Sequence, residues 1–199
     1  KLTASNKTEN FAVTRTDKEL VYDQIITDME EAVKDLPWYN EVSSYEGRPS
    51  KGAAMGLLAR AYLYRAGYSL HQNGKMERPE KYLDYYKKAK EVCAELINSH
   101  RHKLNNSYEK VFKNVCEGIM DPSEVMYEVQ FFNPSGESDH SSKIGSYNSP
   151  EINRNSSFGL GNSFIKTSCF AYDLYEQGDA RRETAIATFK INAQDKFIE

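Results

Sequence analysis

The chain has few cysteines: Cys93, Cys116 and Cys169 are the 3 among 199 residues. An odd count with no C-x-x-C spacing excludes a disulfide framework. Cys93 lies among apolar helix positions and is expected to be a small buried hydrophobe. Long apolar runs are also missing. No window holds the eighteen or so unbroken apolar residues of a membrane span. Excess charge of one sign is lacking too: Lys and Arg number 26 against 29 Asp and Glu, a net charge of −3. That excludes electrostatic capture of nucleic acid by the chain as a whole.

Catalytic signatures are equally scarce. There is no G-x-S-x-G, P-loop or H-E-x-x-H. Gly159-Leu160-Gly161 is a bare G-x-G without the rest of a nucleotide fingerprint. No cofactor is implied, and no enzyme is expected. His100 and His102 are two apart, but no strand is predicted there to give them one face, so they read as a polar helix end rather than a metal site. Glu137, Asp139 and His140 read as a solvated loop tip, with cation chelation as the alternative.

What is present describes a folded protein. Hydrophobic residues make up 39% and charged residues 28%, the balance of a globular chain. This length suits one domain of ordinary size or two small ones, and a chain this long buries roughly 70% of its unfolded surface without a disulfide or metal staple. The aromatics are dominated by 14 Tyr, against 9 Phe and 1 Trp. Tyr joins an apolar plate to a polar tip, which fits wet, ligand-facing surfaces as well as helix interfaces.

Residues 17–36 read as a helix. Thr16 and Glu19 form a capping box, and Val21, Ile25, Met29, Ala32 and Leu36 recur at helical spacing before Pro37. Ser50 caps a second helix, about 51–66, apolar nearly all round and therefore buried on most sides. Residues 67–79 break the pattern. A third helix, about 80–98, carries Leu83, Tyr86, Ala89, Cys93, Leu96 and Ile97 as its apolar stripe, with balanced charges on a solvated face. A short amphipathic piece falls near 108–112. Alternation over 124–132 predicts a strand. Residues 133–162 are a loop rich in Ser, Asn, Gly and Pro, and a last helix covers 164–176.

The helices contain a hidden repeat. Met55-x2-Leu58-Ala59-x2-Tyr62 matches the first half of a tetratricopeptide unit, and Ala89-x3-Cys93-x2-Leu96 its second half. About 18 extra residues separate the halves. Ile25-x3-Met29-x2-Ala32 fits another second half, whose partner helix would lie upstream of Lys1. An ordinary helical bundle is the alternative. On the repeat reading the chain is incomplete at the N-terminus, because half a repeat cannot cover its own apolar face.

Several segments resemble one family. Val21 to Ala32, ending in Leu36-Pro37, is similar to the "I-x-x-D-L-x-x-A…L-P" helix of SusD/RagB proteins. Pro49-Ser50-Lys51-Gly52-Ala53-Ala54 followed by Leu57 to Tyr64 resembles their most recognisable helix. Ser123 to Phe131 resembles the "S-E-x-I-x-E-I" strand, and Gly178-Asp179-Ala180-Arg181-Arg182 the "D-P-R-R" turn, with Ala180 replacing Pro. The resemblance implies a mainly α fold of TPR-like hairpins, long irregular loops and a minor β element, here as a single domain, 1–199, incomplete at both ends. It also implies a non-enzymatic surface lipoprotein of the Bacteroidota outer membrane. Such a protein captures an oligosaccharide or polysaccharide, or in some members a peptide, and delivers it to a SusC-like TonB-dependent channel. Its lipid anchor would lie outside this chain.

Carbohydrate binding needs aromatic plates for the C–H face of a sugar and directional donors and acceptors for its hydroxyls. The 133–162 loop supplies Tyr147, Asn148, Asn153, Arg154, Asn155 and Phe158, a mixture of this kind. For Tyr147, ligand contact and loop packing both fit. Trp38 and Tyr39 form a second candidate patch, in which Trp38 could instead cover the helix end. Two other functions stand beside glycan capture: a TPR-type adaptor for a protein or peptide, which the interhelix insertion and long loop disfavour, and, more distantly, an α-helical glycosidase, whose paired carboxylates no spacing reveals.

Overall fold

A computed structural model describes residues 14–42, 47–129 and 143–199. The chain forms two compact units, one within Lys1–His102 and one within Lys103–Glu199.

The first unit is built on three helices. α1 spans Lys18–Asp35, α2 Lys51–Ala66 and α3 Tyr82–Asn98, and α2 packs against both of the others. The caps explain the boundaries. Asp17, rather than Thr16, caps α1 by accepting the Glu19 N–H at 2.8 Å, so the cap lies one residue later and the predicted Thr16–Glu19 box is not formed. Glu19 is thereby released for an ion pair with Arg65. Ser50 caps α2 as expected, accepting the Ala53 N–H.

The shared core comprises Ile26, Leu58, Tyr62 and Ala89, with Met29, Val33, Ala61, Tyr85 and Val92 packed against it. Helices α1 and α3 are each rotated from the expected stripe. In α1 the inward face includes Ile26, Met29 and Val33, while Val21 and Ile25 are exposed. In α3 the inward face includes Tyr85, Ala89 and Val92, while Leu83, Tyr86 and Ile97 are exposed. The expected burial of Cys93 is overturned for the same reason: it lies on the outer side of α3. All three thiols are exposed, so a maleimide should modify Cys93, Cys116 and Cys169 in the native protein, and mass spectrometry of the intact chain would count the adducts. Slow labelling of Cys93 until denaturant is added would contradict this orientation.

A buried cation ties α1 to α2. Arg65, only 7% exposed, meets Glu19 at 3.2 Å and Asp23 at 2.7 Å, and its guanidinium lies 4.5 Å from the Tyr85 ring centroid. Burial opposes its charge, but the bonds to Asp23 and Glu19 and the proximity of Tyr85 outweigh that and raise its pKa.

The insertion between α2 and α3 is a hairpin. β1 (Ser69–Leu70) pairs antiparallel with β2 (Met76–Glu77). This insertion accounts for the long spacing between the two repeat halves.

The second unit contains α4 (Tyr108–Cys116), α5 (Ile144–Asn148), α6 (Cys169–Asp173), α7 (Ala180–Ala185) and a hairpin of β3 (Lys190–Ile191) with β4 (Phe197–Ile198). Helix α4 packs on α7. The strand expected over 124–132 is not formed at 124–129. The Glu124 and Val125 N–H groups turn back to the Asp121 carbonyl, and no strand pairs with this segment among the described residues. Residues 130–132, like Glu137, Asp139 and His140, lie outside the described residues. The last predicted helix shrinks to α6, because Ser168 caps it and accepts the Ala171 N–H. The chain then turns at Gly178, whose φ of 85° is costly for a residue with a Cβ. Asp179 caps α7. The Arg181 guanidinium, then the Arg181 backbone N–H, lower the Asp179 carboxyl to a pKa of about 2.

Candidate functional site

The site begins with a short-range frame. Within the stretch read as loop, Ile152 bridges Gly161 on one side and Ile191 on the other. Ile152 N–H donates to Gly161 O at 3.0 Å, Asn153 N–H to Ile191 O at 2.9 Å, and Ile191 N–H to Glu151 O at 2.9 Å. Helix α5 is attached to this frame: Asn162 N–H donates to Ser146 O at 2.8 Å and Phe164 N–H to Tyr147 O at 2.9 Å. Gly161 is needed for the close approach, since a Cβ there would run into the Pro150 carbonyl and the side chains of Ser149 and Ile152.

A cleft of about 600 Å³ opens beside this frame. Asn148, Glu151, Lys166, Thr188 and Lys190 give it donors and acceptors, and Phe189 gives it an aromatic wall. Tyr147 and Phe164 are not among the residues that line the cleft but are next to lining residues in the chain, and their ring centroids are 5.0 Å apart. Asn148 follows Tyr147, and Ser163 and Ile165, which also line the cleft, flank Phe164. Tyr147 remains 39% exposed, so it has a packing partner and an open surface together. On the far side, Phe158 meets Phe197 at 6.4 Å, and Phe197 meets Phe189 at 4.9 Å. An aromatic chain thus joins the Phe158 loop to the cleft wall. Arg154 is exposed on the tight turn closed by Ser156 N–H to Asn153 O.

Asp195 holds that turn in place. Its carboxylate accepts the Ser156 hydroxyl at 2.6 Å, the Ser157 N–H at 2.9 Å and the Ser157 hydroxyl at 2.6 Å. These bonds, the Ser156 hydroxyl first, lower the Asp195 pKa. A depressed carboxyl stabilises the fold above the ordinary unfolded value of roughly 3.9 and loses that contribution as pH falls through the folded value. Asp195→Asn should therefore be less stable than wild type at pH 7, and the difference should close below about pH 4. Urea midpoints at several pH values would check it; a difference that does not narrow as pH falls below about 4 would contradict it.

Trp38 belongs to the first unit and forms a separate patch. Its half-buried ring lies within 5.8 Å of Lys51 Nζ and 5.7 Å of the Arg101 guanidinium. Arg101 also holds Asn40 at 2.9 Å and Glu41 at 3.4 Å, while Glu41 accepts the Trp38 N–H at 3.1 Å. His102 fills the space between Trp38 and Tyr39, with centroids at 6.3 and 5.1 Å. A Cβ at Gly52 would strike the His102 ring. His100 closes α3 in the left-handed region at φ 52°. Among the described residues, no group of three or more His, Cys, Asp or Glu could hold a metal ion, and no helix is long and apolar enough to cross a membrane.

Sequence reasoning located Tyr147, Asn148, Arg154 and Phe158 on one unit but missed Glu151, Phe164, Lys166, Thr188, Phe189 and Lys190. No local motif marks these residues. The bridge through Ile152 and Ile191 brings them together.

The first unit is thus a set of packed helices, and the second holds an irregular, loop-built cleft. Residues 1–63 match a family described as SusD-like, "Starch-binding associating with outer membrane". The structure is similar to that of a SusD homolog from Bacteroides thetaiotaomicron, with a TM-score of 0.70 and 27% identity, over 94% of this chain and 34% of that one. No curated protein matches the chain. The chain spans about a third of the length of that homolog.

Proposed function

We propose that the chain is part of a surface protein that binds glycan without cleaving it, and that the cleft of the second unit contacts the sugar. The observation that carries this is the family match, whose description is starch binding at the outer membrane. The cleft supports it chemically. An amide, two glutamate carboxylates, two ammonium groups and four hydroxyls line it beside Phe189, and the Tyr147–Phe164 pair, adjacent in the chain to lining residues, offers an aromatic plate. Tyr147 and Asn148 are the primary contacts, Arg154 and Phe158 extend the surface, and Trp38 is a separate second candidate. On the family resemblance, the protein is a lipoprotein that passes its ligand to a SusC-like TonB-dependent channel.

The test is a binding titration of the purified protein against starch, other polysaccharides and peptides, with reducing ends assayed in parallel. Starch or another glycan should bind with no release of reducing ends. Tyr147→Ala should weaken binding by about tenfold, the scale of one lost aromatic contact. Unchanged affinity would remove Tyr147 from the site, and binding confined to peptides would overturn the glycan reading.

A further inference from the structure

We infer that Tyr68, Arg78 and Tyr82, at the hairpin between α2 and α3, form a second glycan-contact platform that selects sugars carrying an oxyanion. The inference rests on the glycan-binding reading but concerns a different unit and a different ligand chemistry.

The hairpin is held firmly. Lys18 Nζ donates to the Ser69 hydroxyl and, at 3.4 Å, to the Leu70 carbonyl, fastening β1 to the start of α1. At the tip, His71 N–H donates to Lys75 O at 2.9 Å, and the Asn73 side chain accepts the Lys75 N–H at 2.9 Å. Asn73 also engages Glu77 at 3.1 Å, so the carboxylate next to Arg78 in the chain has a partner of its own.

Arg78 leaves β2 between two rings. Its guanidinium carbon is 3.5 Å from the Tyr82 centroid and 4.8 Å from the Tyr68 centroid. Tyr82 is braced in turn by Tyr86, edge-on at 6.2 Å. Stacking occupies the faces of a guanidinium and leaves its N–H edge as a planar fork. In the same unit, Arg65 spends that fork on Glu19 and Asp23, and Arg101 spends it on Asn40 and Glu41. Half-buried Arg78 has no hydrogen bond or ion pair to any described residue, although its charge is fixed in position. A fork held in this way is matched by a planar or tetrahedral oxyanion, which it takes in two parallel bonds. Tyr68, 64% exposed, supplies a plate beside it for the C–H face of a sugar ring. The combination suits a uronate carboxylate or a sulfate ester on a glycan.

The experiment uses tetragalacturonate, its methyl ester and a sulfated galactan oligosaccharide, titrated calorimetrically into the wild-type protein and the variants Arg78→Gln, Arg78→Lys and Tyr68→Ala. Starch is titrated in parallel, and thermal unfolding of each variant reports folding. The wild type should bind the carboxylate or the sulfated probe, and which of them binds identifies the source of the oxyanion. Arg78→Gln, Arg78→Lys and Tyr68→Ala should each weaken that binding by about tenfold or more, with starch affinity unchanged. If the carboxylate is the source, the methyl ester should bind about tenfold more weakly than the acid. Equal binding by wild type and Arg78→Gln, or starch binding with no acidic binding at all, would overturn the platform and leave the glycan reading intact. Loss of every neutral-glycan interaction would instead count against that reading, while acid binding sensitive to Arg78 would still support the platform.

Discussion

Tyr62→Ala should destabilise the protein by about 3–5 kcal/mol, while Tyr62→Phe should cost only about 1 kcal/mol. Tyr62 is 2% exposed and sits in the core formed with Ile26, Leu58 and Ala89. Its ring stacks on Tyr85 at 6.3 Å. Truncation would remove a large apolar plate from the point where all three helices meet, and the surrounding Leu and Ile side chains could only partly close the gap. The hydroxyl donates to Glu30, and burial, then this bond, raises its pKa. Removing the hydroxyl is a smaller change. Glu30 is partly exposed and keeps Lys88 at 3.9 Å, so water and a cation can replace the lost donor. Urea unfolding of the three proteins gives the two differences. If Tyr62→Phe cost as much as Tyr62→Ala, the bond to Glu30, rather than packing, would hold the helices together.

Gly161→Ala should have the second large effect, costing about 2–3 kcal/mol in stability and weakening glycan binding through the frame. The added methyl would meet the Pro150 carbonyl, a backbone atom that cannot swing aside like the end of a side chain. Moving it would strain the Ile152–Gly161 bridge, and with it the positions of Tyr147 and Asn148. Gly145→Ala in α5 is the matched control. Nothing lies within 4 Å of its new Cβ, and Ala in place of a helical Gly should stabilise by about 0.5–1 kcal/mol. Opposite signs for the two substitutions, read from thermal unfolding and starch titration, would separate close approach from a general effect of removing glycine. A neutral Gly161→Ala would show that the frame tolerates displacement.

The helices were legible because their signals are local. Ser50 marks the start of α2, and Met55, Leu58, Ala59 and Tyr62 mark its buried faces. Rotation about the helix axis was less legible. In α1 both Val21-Ile25 and Tyr22-Ile26 are apolar pairs, so periodicity alone does not choose between neighbouring faces; packing against Leu58 and Tyr62 chooses the second. The same ambiguity placed Cys93 inside α3 when Val92 takes the inward position. The alternation at 124–129 is real, but a strand needs a partner for its backbone groups, and the turn back to Asp121 takes two of them instead. The candidate site was half legible. Tyr147 and Asn148 stand out by composition, whereas Lys166, Thr188 and Lys190 lie near residues whose backbone pairs reach far along the chain, Phe164 with Tyr147 and Ile191 with Glu151, which leaves no mark on local spacing.

The bridge from Ile191 to Glu151 and Asn153, together with the Asp195 carboxylate, has a practical bearing on where the chain can be cut. A shortened version ending before Lys190 would retain Tyr147, Asn148, Arg154 and Phe158, yet it would lose the backbone rung and the anionic clasp that give their segment its shape. Binding measured on such a fragment would report on an unfastened loop, however well its helices fold.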